Sequence, residues 1–144
     1  MKRLSMFALV GILGLSTFSC LNNDDSAFTN YGLLPTTSIY VHEDSIQPVG
    51  KITNIHVTYG KTNSCQQFIQ FSSLGEDTQF KHHIGVYASL TNDNSCKQEI
   101  SFETKTLKFA PKTAGKYTLK FWTSYQPNTN EPIYDSIVLN IKDK

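Results

Sequence analysis

The sequence predicts an all-β domain, a single antiparallel sandwich of about seven short strands. Three observations carry this. Val, Ile, Thr, Tyr and Phe recur throughout, and aromatic residues make up 12% of the chain, which suits half-buried pleated surfaces. Several windows alternate apolar and polar residues with period two. Clusters of Gly, Pro, Asn, Asp and Ser interrupt those windows at short intervals, and nothing after the first 19 residues has helical periodicity.

The strands are expected in this order. Ile39-Tyr40-Val41 is a short β-prone run that ends near Pro48, as an edge strand would. Over 51–59, Ile55, Val57 and Tyr59 share one face and Asn54, His56 and Thr58 the other. A turn at 60–64 leads to a short strand over 66–71. The clearest alternation is at 79–90, where Phe80, His82, Ile84, Val86, Ala88 and Leu90 share a face opposite Gln79, Lys81, His83, Tyr87 and Ser89. In 97–110 the parity slips: Ile100 and Phe102 are out of phase with Leu107 and Phe109. A slip of one means a bulge or a hairpin. Glu103-Thr104-Lys105 holds no Gly, Asn or Pro, which favours one bulged strand. Tyr117, Leu119 and Phe121 alternate after the turn at 111–115, and Ile137, Leu139 and Ile141 form the last strand after a polar loop at 124–132.

The first residues form a different unit. Met1-Lys2-Arg3 is basic, Ser5 to Ser19 is uncharged and mostly apolar, and the run ends in Thr17-Phe18-Ser19-Cys20. It is too short for an ordinary membrane span and has the three-part layout of a secretory signal. Its end resembles the lipobox of bacterial lipoprotein precursors, although Thr17 and Phe18 stand where that family usually has Leu and a small residue. The resemblance implies cleavage before Cys20 and lipid on its sulfur. Membrane attachment would then be through acyl chains, at about 0.8 kcal/mol per buried methylene. Leu21 through Ser26 resembles the acidic tether of lipoproteins exported to the outer leaflet. The expected organisation is a signal peptide at 1–19, a lipidated flexible tether at 20–36 and the sandwich at 37–144, outside the cytoplasm and on the outer membrane or cell surface.

Cys65 and Cys96 remain once lipid occupies Cys20. In an oxidising compartment an even remainder predicts one disulfide. Consecutive antiparallel strands send loops to alternate ends, so the loops holding these two cysteines fall at the same end. With 97–110 as one strand, the 124–132 loop joins them there. Ala114-Gly115-Lys116-Tyr117-Thr118-Leu119 resembles the tyrosine corner of immunoglobulin-like sandwiches, which implies that the Tyr117 hydroxyl bonds back to the upstream chain. Leu119 stands where that family has its second inter-sheet cysteine, so the antibody-type bridge is absent.

Charge excludes one class of function. The formal net charge is +1, and Lys2 and Arg3 are the only charges before Cys20, so 11 basic residues face 12 acidic ones over 20–144, a net −1. Such a domain has no electrostatic footprint for nucleic acid. No catalytic motif occurs. A strand sends His82 and His83 to opposite faces, so they promise no metal site, and no cofactor is expected. Trp122, Tyr125 and Tyr134 flank the 124–132 loop and are the candidate binding surface, because Trp and Tyr are favoured anchors. The function expected is a non-enzymatic envelope module with a protein or glycan partner. The alternatives are an extracellular hydrolase with an unrecognised site or a protease inhibitor.

Overall fold

The computed structural model describes residues 27–144. The expected signal peptide at 1–19 and Cys20 lie outside the described residues. Eight strands follow in order: β1 Phe28–Leu34, β2 Thr36–Tyr40, β3 Thr53–Asn63, β4 Gln66–Ser73, β5 Lys81–Asn92, β6 Gln98–Phe109, β7 Gly115–Tyr125 and β8 Pro132–Ile141. A 3₁₀ turn at Glu43–Ser45 carries the exposed Glu43-Asp44 pair.

Two sheets result. One has β2-β3-β6. The other has β1, β4, β5, β7 and β8, with β5 central. One side of β5 pairs with β4 along its length. The other side is divided: Lys81–Ile84 runs parallel to β7, and Val86–Asn92 runs antiparallel to β1. This parallel pair is the one departure from antiparallel pairing among the described strands.

The inner faces bury the residues whose alternation predicts them: Ile55, Val57 and Tyr59 from β3; Val86 and Ala88 from β5; Tyr117, Leu119 and Phe121 from β7; Leu139 and Ile141 from β8. Phe80 precedes β5 and covers Gly115 instead, its ring 2.5 Å from where a side-chain carbon would stand. Only glycine permits that approach.

Two expectations need correction. Residues 28–36 are not tether. β1 lies in the sheet, the chain bends at Pro35 and β2 continues in the other sheet, with Leu34 and Thr36 buried at the crossing. β1 is held by its backbone ladder to β5 and buries only its last side chain, so it leaves no period-two trace in the sequence. The parity slip in 97–110 also has another origin. β6 is one strand, in continuous register with β3 from Ser101 to Phe109, and its extra residue falls between Gln98 and Ser101. Ile100 and Phe102 point to solvent, and Glu103 and Lys105 take inward positions ahead of Leu107 and Phe109.

The disulfide joins Cys65 to Cys96, with Cα atoms 5.5 Å apart. Because β5 and β7 run parallel, Asn92 and Tyr125 point to the same end, so the loop after β7 shares the disulfide end, as the strand count requires. Phe28 pairs with Asn92, so the chain also enters the domain at this end. The Tyr117 hydroxyl donates to the carbonyl of Thr113 at 2.7 Å, the back-bond that the tyrosine-corner resemblance implies.

Candidate functional site

The outer face of the β5 sheet is aromatic. Trp122 and Tyr134 are register partners on β7 and β8 and share this face. Tyr125 packs on Trp122 with ring centroids 5.2 Å apart, and Tyr134 meets the His83 ring at 5.0 Å. The Lys120 ammonium lies 5.9 Å from the Tyr134 ring centre. Farther along, Tyr31 of β1 stacks on Tyr87 of β5 at 6.2 Å. The three residues the sequence singles out are thus brought together, but they differ in access. Trp122 is 9% exposed and acts as a support, whereas Tyr125 is 50% exposed. Tyr134 sits against His83, toward the end of β5 away from the disulfide, so the bridge does not pre-organise this cluster as a whole.

A short connection, 74–80, borders the cluster. Gly75 and Glu76 both have positive φ, 88° and 56°, and Asp77 fixes the turn. One Asp77 carboxylate oxygen accepts the His83 backbone N–H at 2.7 Å, and the other accepts the Ser73 hydroxyl at 2.8 Å. The Nδ1 atoms of His82 and His83 each lie 3.6 Å from this carboxylate. The histidines do take opposite faces, yet an acid at the sheet border touches both. Sequence spacing missed this because the contact depends on how the 74–80 turn folds back. Among the described residues, no three His, Cys, Asp or Glu side chains converge as metal ligands.

Burial pushes the Asp77 carboxyl up, but the His83 N–H, the Ser73 hydroxyl and His82 together outweigh it and hold the group below its ordinary value. Glu103 is also held low, chiefly by its bond from Lys105 and against burial. Burial raises the Tyr134 phenol, with Glu76, Tyr125 and Asp77 adding to it. A carboxyl depressed in the fold contributes stability above its unfolded value, about 3.9 for Asp and 4.3 for Glu, and loses it as pH falls through the folded value. Stability should therefore fall on acidification below about pH 4, and fall less steeply in Asp77→Asn. Urea titrations across that range check this; parallel curves would remove Asp77 from the account.

Behind His82 the sandwich opens between its sheets. A cavity of about 220 Å³ is lined by Phe71, Ile84, Leu107, Phe109 and Leu119, with Ser73, Asp77 and His82 at its rim. His82 stacks on Tyr117 at 6.1 Å and meets Phe109 edge-on at 6.2 Å. Ser73 bonds Asp77 rather than a histidine, so these residues do not form a nucleophile-base-orienter relay. The arrangement offers contact surface: the Tyr125 and Tyr134 rings and the Lys120 ammonium on the sheet, with the Glu76 carboxylate on the connection beside it. No protein-family model, curated protein or solved structure matches the chain.

Proposed function

We propose that the protein is a lipid-anchored envelope or cell-surface lipoprotein whose sandwich is a non-enzymatic binding or accessory module. The observation that carries this reading is the basic start and apolar run ending at Cys20. The partner is a protein or a glycan, met through the face bearing Tyr125 and Tyr134 with Trp122 beneath. Rings held on a sheet lose little freedom on contact, which lowers the cost of binding.

The fold adds an orientation to this reading. β1 starts at Phe28, so the folded sheet begins within about 30 Å of the lipidated cysteine even at full extension. The chain enters beside the disulfide, so that end faces the bilayer and the 74–80 connection faces away.

Two measurements test the reading. Cys20→Ala should move the protein from the membrane fraction to the soluble one; a variant that stays with membranes would refute the anchor. Pull-down from intact envelopes should lose its partner when Trp122→Ala and Tyr125→Ala are combined in a still-folded protein. Unchanged recovery would refute the binding face.

A further inference from the structure

Sheet edges carry unpaired N–H and C=O groups and recruit other strands unless something protects them. Most edges here are protected. β2 has five residues and an extra residue at Thr37; β4 has an extra residue at Ile69. β8 opens with Pro132, and residues 43–48 lie against its far end at Asn140 and Lys142. β1 is short, at seven residues, and holds Gly32.

β6 is different. It is 12 residues long, contains no Pro or Gly, and is regular from Ser101 to Phe109. Its backbone pairs with β3 alone among the described residues. Beside the open edge stand Ile100, 79% exposed, and Phe102, 65% exposed. These are the two most exposed large apolar side chains among the described residues.

We infer that β6 pairs antiparallel with β6 of a second copy of this chain, with the two-fold axis at Thr104. Charge selects both the partner and the register. Glu103 and Lys105 point inward, 2.8 Å apart, with side chains 35% and 42% exposed. A lone inward charge would repel an incoming strand. This alternating pair is complementary to itself. An axis at residue 103 sets Glu103 against Glu103, and an axis at 105 sets Lys105 against Lys105. An axis at 104 sets Glu103 of each copy against Lys105 of the other, with Thr104 facing Thr104 and Phe102 facing Thr106. Directly opposed residues of unlike charge stabilise a strand pair and like charges destabilise it. The pairing joins the two β2-β3-β6 sheets into one and satisfies both open edges.

Sedimentation of the purified full chain at micromolar concentration should show a dimer. Thr104→Cys should give a disulfide-linked dimer on mild oxidation, because self-opposed residues bring Cα atoms within bridging distance. Thr106→Cys should not, since Thr106 faces Phe102; both variants share the same Cys20 background. Glu103→Lys should weaken the dimer roughly tenfold, and adding Lys105→Glu should restore it, which separates pairing from any loss of fold. A monomer, a cross-link at 106 but not at 104, or no rescue by the double reversal would overturn the inference. Each result is independent of membrane anchoring and of the Tyr125 face.

Discussion

Replacing both Cys65 and Cys96 by serine is expected to lower the unfolding free energy by about 3–4 kcal/mol. The bridge closes a loop with a sequence separation of 31, and the chain-entropy model gives this magnitude for such a loop. Much of the effect should act on the unfolded chain, because other bonds already hold the two segments together. The Ser64 N–H donates to the Lys97 carbonyl at 3.0 Å, and the Lys97 N–H donates to the Ser64 hydroxyl at 2.9 Å. The folded geometry should thus survive the substitution while the unfolded ensemble expands. Urea denaturation of the two forms without reductant measures the difference; a loss under about 1 kcal/mol would contradict a constraint of this loop length. Thiol labelling without reductant should find neither cysteine free in the purified protein.

Phe121→Ala is expected to cost about 3–5 kcal/mol. Phe121 has no exposed surface and is among the largest fully buried side chains. It lies on β7, opposite Ile84 of β5 and Asp135 of β8. Truncation removes apolar contact and leaves a cavity that strands on both sides hinder from collapsing. Val138→Ala on the same hairpin is the control. Val138 is 52% exposed and pairs with Thr118, so its loss should stay within about 0.5 kcal/mol. Equal melting shifts for the two variants would mean that Phe121 does not pack in the core as its burial implies.

Several features were legible because the sequence records them locally. Ile55, Val57 and Tyr59 alternate because one sheet face is dry and the other wet, and period two follows from strand geometry. The same holds for Tyr117, Leu119 and Phe121, and the tyrosine corner is visible because its bond spans only four residues. The cysteine pair follows from strand parity once the number of strands between the two loops is right. Other features carry no local trace. Glu103 and Lys105 sit at inward positions because β6 is an edge, where the intersheet space is open enough for Lys61 to reach Glu103 at 3.2 Å and for Lys105 to lie 5.8 Å from the centre of the Phe68 ring. Period-two reading assigns such positions to apolar residues and so mistakes an edge for a bulge.

By itself the sequence determined the all-β class, most strand positions, the Cys65–Cys96 pairing and the Tyr117 corner. Each of these is written in residue type and short-range spacing. Only the tertiary structure decided that β1 belongs to the sheet, that β5 and β7 run parallel, that Asp77 lies between His82 and His83, and that Trp122 supports Tyr125 from beneath. These depend on backbone pairing and on turns that fold back. Backbone N–H and C=O groups are the same in every residue but proline, so a ladder such as that of β1 on β5 leaves the side-chain pattern unmarked.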